Sequence, residues 1–205
     1  MLIAIQDQVT VSVTVDESLT FTISQGTACT GDTGSPTSIN ASVTATTVPF
    51  GTVNLDAFYV GCQDLNVATN ASGGYIVTGE ENRSLKSIAG TLISNGTCDG
   101  ACDFDTGAAW ATAGNNGLGY FCENTGSTPC STTVDTTSEY KTLACTGAVT
   151  TDCLPTGSEA AQTILTRAGP QSADEGRIHY KLSVDAAQAA GAYSNTVTYI
   201  ATPTF

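Results

Sequence analysis

The sequence predicts an all-β protein, an antiparallel β-sandwich that carries a disulfide-rich loop insertion. Three observations predict it. Short runs of alternating apolar and polar residues recur along the 205-residue chain, and no long amphipathic helical pattern interrupts them. Gly, Pro and Asn punctuate the runs as turn residues do. Six of the eight cysteines fall within residues 95–160, a stretch rich in Gly, Asn, Asp and Thr and poor in large aliphatics.

The first element is the longest. Valine occupies positions 9, 11, 13 and 15, and Leu19, Phe21 and Ile23 continue on odd numbers. Period-two alternation of such residues marks a strand with one buried face. The phase holds for about fifteen residues, where strands ordinarily run five or six. Fully extended at about 3.3 Å per residue, residues 1–24 span roughly 80 Å. A compact domain of this length has a diameter of roughly 40–45 Å. The segment must turn or leave. Asp16, Glu17 and Ser18 break the valine run, which predicts an arm over residues 1–18 and a domain over residues 19–205. The alternative is a corner between two strands of one sheet. A solitary arm bearing Ile3, Ile5, Val9, Val11, Val13 and Val15 is an aggregation hazard; docked into a neighbour's open sheet, it becomes strand addition.

Further strands follow. Residues 62–79, CQDLNVATNASGGYIVTG, read as a strand, a Gly-Gly turn and a second strand. Residues 84–93 are ambiguous, because Leu85, Ile88 and Leu92 also fit a helical period. Residues 95–160 read as a disulfide-tied insertion, anchored in the main core by Trp110 and the nearby GLGYF run. The C-terminal region holds three strand candidates, AQTILTRA, GRIHYKLSVDA and AYSNTVTYIATPTF, and in the second Ile178, Tyr180, Leu182 and Val184 share a face. Many short strands of this kind fit a jelly-roll or immunoglobulin-like sandwich.

The cysteines stand at 29, 62, 98, 102, 122, 130, 145 and 153, with no CxxC pair and a single histidine in the chain. Disulfides fit this pattern better than zinc. Sequential pairing is favoured: Cys29 with Cys62, Cys98 with Cys102, Cys122 with Cys130, and Cys145 with Cys153. Disulfides require an oxidising compartment, so a secreted, extracellular protein is expected. The opening MLIAI is too short for a signal-peptide apolar region, which suggests a mature form. No run approaches the eighteen apolar residues or so of a membrane span. A net charge of −13 argues against nucleic acid, whose phosphates need Lys and Arg, and against anionic lipid. Four N-x-S/T sequons, at Asn40, Asn70, Asn82 and Asn95, permit glycosylation.

Catalytic chemistry is not expected. His179 stands alone, alternating with Ile178 and Tyr180, and reads as a surface strand residue. No G-x-S-x-G elbow or phosphate-cradling loop occurs, and no cofactor or metal is implied. Asp99, Asp103 and Asp105 read as a solvated acidic turn, with oxygen ligation of Ca²⁺ the alternative. A bond between Asn195 and Lys86, Lys141 or Lys181 is conceivable, but no spacing selects it.

The strand-and-turn patterns VATNASGGYIVTG and AAGAYSNTVTYIATPTF, the opening VTVSVTVDESLTFTIS and the VPFGTV step resemble secreted β-sandwich proteins of bacterial and archaeal surface filaments. These include the camelysin/TasA biofilm-fibre proteins and archaeal bundling pilins. The likeness spans about half the chain and omits the cysteine-rich middle. It implies a filament subunit whose N-terminal strand completes the sheet of the next copy, so that its partner is itself. The competing expectation is a monomeric adhesion or glycan-binding module, with an aromatic patch near Trp110, Tyr120 and Phe121.

Overall fold

A computed structural model of the chain describes residues 7–27, 29, 34–100, 102–103, 106–131, 139–142, 145 and 160–205. Among the described residues the regular structure is almost entirely β: β1 (Leu19–Gln25), β2 (Thr37–Ser38), β3 (Phe58–Thr69), β4 (Tyr75–Glu81), β5 (Leu85–Ser87), β6 (Leu92–Ile93), β7 (Ala108–Ala109), β8 (Gly117–Asn124), β9 (Glu139–Tyr140), β10 (Gln162–Arg167), β11 (Gln171–Ser183), β12 (Tyr193–Ser194) and β13 (Val197–Pro203). Every pairing between them is antiparallel except that of β2 with β3. No helix among the described residues is long and apolar enough to cross a membrane.

The principal sheet runs β1-β3-β11-β8, with β2 added along β3, and a second sheet runs β10-β4-β13. Alternation decides which side chains meet. Leu65, Val67, Ile178, Tyr180, Leu182, Leu118 and Tyr120 of the principal sheet share one buried cluster with Tyr75, Val77, Ile164 and Leu165 of the second. The shared face of Ile178, Tyr180, Leu182 and Val184 is therefore the inner one.

β3 and β11 are long, at 12 and 13 residues, and buried almost continuously instead of alternately. A strand reads so when both faces of its sheet are covered. The second cover comes from the cysteine-rich region: Phe58, Cys98, Trp110, Phe121 and Tyr140 form a separate buried cluster. Trp110 meets Phe58 and Tyr140 edge-on at centroid distances of 5.5 and 5.8 Å. Trp110 thus anchors the region on the outer face of the principal sheet and not, as expected from sequence, in the main core.

Among the described residues, disulfides join Cys29 to Cys62, Cys98 to Cys102 and Cys122 to Cys130. Cys145 is also disulfide-bonded, and Cys153 lies outside the described residues. The ambiguous stretch 84–93 pairs β5 with β6 across a turn that leaves Ile88 fully exposed. Short loops and a glycine turn outweigh the helical spacing there.

The β3–β4 turn fixes one end of the domain. Gly74 sits at φ +84°, and a Cβ there would lie 1.9 Å from the Arg167 carbonyl oxygen. Both conditions demand glycine. Gly74→Ala is expected to lower stability by at least about 1 kcal/mol, read as an earlier urea midpoint with an unchanged slope.

Candidate functional site

Residues 7–18 carry no secondary structure and are exposed throughout. Val9, Val11, Val13 and Val15 keep 86, 89, 85 and 74% of their surface. β1 begins at Leu19, just past the Asp16-Glu17-Ser18 break. Ile3 and Ile5 lie outside the described residues. The valine row therefore points into solvent, and the described arm, about 40 Å long if extended, has no place in either sheet.

Its root is held. Leu19 pairs with Thr69 at the end of the β1–β3 ladder, and Asn70 prolongs that ladder. The Asn70 backbone N–H donates to the Ser18 carbonyl at 3.3 Å. Its side-chain oxygen accepts from the Ser18 N–H at 2.8 Å, and its Nδ2 donates to the Asp16 carbonyl at 2.7 Å. Thr69 Oγ1 adds a bond to Ser18 at 2.8 Å. Residues 16–18 thus continue the line of β1, and the arm departs at the β3–β4 turn.

The opposite half of the domain holds a cavity of about 740 Å³ between the two sheets, lined by Ile23, Phe50, Val53, Leu182, Val184 and Val197 among others. Gln63, Tyr180 and Tyr199 also line it. Tyr180 Oη donates to Gln63 at 3.1 Å and meets Tyr199 Oη at 2.5 Å. Burial pushes both phenols well above their usual range, so the pair stays neutral and ties the sheets together. Half-buried Leu19, Phe21 and Ala201 continue the apolar strip toward the arm's end of the domain.

Among the described residues, the sheet edges beside this strip are bare. The outer edge of β8 is occupied by residues 95 and 141, and that of β10 by residues 129–131. Among the described residues, no backbone hydrogen bond reaches the outer edge of β1 or β13. Neither β1 nor β13 carries a charge, and only Pro203 ends β13. Natural sheets normally protect such edges.

On the far face of the principal sheet, Arg177, His179 and Lys181 alternate with the inner apolar residues of β11. All three are buried, at 8, 0 and 0% exposure. Arg177 binds Asp64 through Nε at 2.7 Å and Nη2 at 3.1 Å. The hydrogen bonds it donates to Asp64 outweigh desolvation and raise the guanidinium pKa further. His179 Nε2 lies 2.9 Å from Glu123 Oε2, and its ring stacks on Phe121 at 4.1 Å. Lys181 Nζ donates to the Trp110 carbonyl at 2.7 Å and sits 4.1 Å from the Phe58 ring centre. His179 is accordingly a core residue and not the surface residue expected from its sequence neighbours; the cysteine-rich layer covers it.

The remaining candidates scatter. Asp99 accepts from the backbone N–H groups of Ala111 and Thr112 and from Asn115. Burial alone would raise its carboxyl, but these donors prevail and hold it below the usual carboxylate range. Asp103 accepts from the Thr106 N–H, and Asp105 lies outside the described residues. No group of three His, Cys, Asp or Glu among the described residues is placed to hold a metal. Asn195 and Asn95 both donate to the buried Glu81, at 2.7 and 2.5 Å. Of the sequons, Asn82 is exposed, Asn95 is buried at 2%, and Asn40 and Asn70 spend their side chains on backbone contacts.

Sequence reading missed the Asn70 clamp, the groove and the buried cations. Only the fragment SGG after Asn70 hinted at a turn there; the groove is assembled from segments too distant to signal one another. No family model matches this sequence, and no curated protein or solved structure resembles it significantly.

Proposed function

We propose that this protein is a structural subunit of an extracellular filament, polymerising head-to-tail by donating its N-terminal strand to the neighbouring copy. The two facing sheets are read as an antiparallel β-sandwich of the jelly-roll or immunoglobulin-like kind, and residues 1–18 as the donor arm. One observation carries the reading: a row of four valines stands out in solvent on a segment whose root is clamped to the domain.

The four valines by themselves make a joint built from it marginal. Burying four valines contributes roughly 6–12 kcal/mol, against an association cost of about 4–15 kcal/mol. Ile3, Ile5 and a ladder of backbone hydrogen bonds add to the favourable side. Because one chain both donates and accepts, the contact is heterologous and propagates as a ring or an open filament. Disulfides fit the secreted setting that such a fibre needs.

An adhesion module would instead present its aromatic residues. Trp110, Tyr120 and Phe121 are 0, 1 and 5% exposed, so they serve as core and offer no binding platform.

The test is direct. Purified full-length chain is expected to form regular fibres in negative stain, and a chain lacking residues 1–15 is expected to remain as uniform small particles with the same circular dichroism. Fibres from the truncated chain would overturn the proposal.

A further inference from the structure

We infer that the acceptor for the arm is the bare outer edge of β13, and that residues 9–15 of a second copy pair antiparallel with it, Val15 opposite Val197 and Val9 opposite Pro203. This rests on the strand-donation reading and names the site that reading leaves open.

Direction comes first. β1 runs away from the β3–β4 turn, since Leu19 pairs with Thr69 and Ile23 with Leu65. β13 runs toward that turn, since Val197 pairs with Glu81 and Pro203 with Tyr75. The Asn70 clamp keeps residues 16–18 in line with β1, so the arm leaves at the turn and heads away from its own groove. In a head-to-tail arrangement, an arm entering the next copy from its cavity end has its N-terminus pointing toward that copy's β3–β4 turn. It lies parallel to β1 and antiparallel to β13. Antiparallel ladders are the more stable per residue.

Pattern and length agree. Along β13, Val197, Tyr199, Ala201 and Pro203 are the half-buried inward residues, and Thr198, Ile200 and Thr202 face outward. The arm has the same phase: valine at 9, 11, 13 and 15, with Thr10, Ser12 and Thr14 between. β13 spans 7 residues, as does the valine row. Paired in this register, Val15 and Val13 enter the groove beside Val197 and Tyr199. Val11 then covers Ala201, where Leu19 and Phe21 are also only half-buried.

Crosslinking in trans reads the edge. A tagged full-length chain carrying Thr14→Cys is co-assembled with an untagged chain carrying Thr198→Cys, or with one carrying Thr22→Cys on β1. Directly opposed antiparallel residues stand about 4.5–5.5 Å apart, within disulfide reach. The expected result is a reductant-sensitive heterodimer with Thr198→Cys, at least about tenfold more abundant than with Thr22→Cys. Since each chain carries one added cysteine, only a contact between copies gives that band. Preferential crosslinking to Thr22→Cys overturns the β13 assignment and leaves strand donation standing. Fibres without a crosslink to position 198 overturn it likewise. Preparations with neither fibres nor crosslinks overturn both.

Discussion

The Val11→Asp, Val13→Asp double variant is expected to be a folded monomer that forms no fibres. Both side chains are exposed in the free chain, at 89 and 85%, and touch nothing that holds the domain together. Thermal and chemical stability should therefore match the parent within about 0.5 kcal/mol, as for surface changes generally. Assembly is another matter. Removing two of the four valines forfeits roughly 3–6 kcal/mol of burial. Two carboxylates would also have to enter an apolar strip, where charge is expensive unless paired. Both effects oppose assembly through the arm. Light scattering and negative stain at matched concentration provide the check, with Val11→Ile, Val13→Ile as a control that keeps assembling. Normal fibres from the aspartate variant would show that the arm is not the donor.

The second large effect concerns the domain itself. Arg177→Ala is expected to cost about 3–5 kcal/mol, the usual penalty for breaking a buried pair from one side. Arg177 makes two close bonds to Asp64 and a third to Thr27 at 3.0 Å. Its removal leaves the Asp64 carboxylate, 3% exposed, together with Glu123 and Glu175, without the cation that faced all three. A companion variant separates the pair from the space it fills. Arg177→Met with Asp64→Leu should recover much of the loss, because apolar replacements of similar volume are tolerated where an orphaned charge is not. Urea midpoints of the three chains decide it. A cost below about 1 kcal/mol for Arg177→Ala would place the pair among solvent-screened bridges.

The contrast between these two sites shows what was legible beforehand. The exposed valine row could be read because its signal is local: valine on every second residue, ended by two carboxylates. The inner face of β11 was legible for the same reason. Its outer face was not. Arg177, His179 and Lys181 alternate with apolar residues as the solvent side of a strand does, and nothing nearby announces that Trp110, Tyr140 and Phe121 will close over them. A cover supplied from tens of residues away leaves no mark on a strand's own periodicity. Asn70 was legible only as a glycosylation sequon, and nothing near it announced that its amide brackets the backbone of residues 16 and 18. The groove needed β1, β11, β13 and the 45–53 loop together, and no pattern within one of them predicts the gap they leave.

The bond between Cys29 and Cys62 bears on mechanics. Tension along a fibre would reach each domain at Ser18 and pull β1 lengthwise against β3, straining the seven paired positions of that ladder together and not one after another. Should the ladder give way, the covalent tether to the central strand stops the chain from paying out beyond residue 29. Slack per domain would then be limited to a short leash, while the doubly covered sheet behind it stays whole.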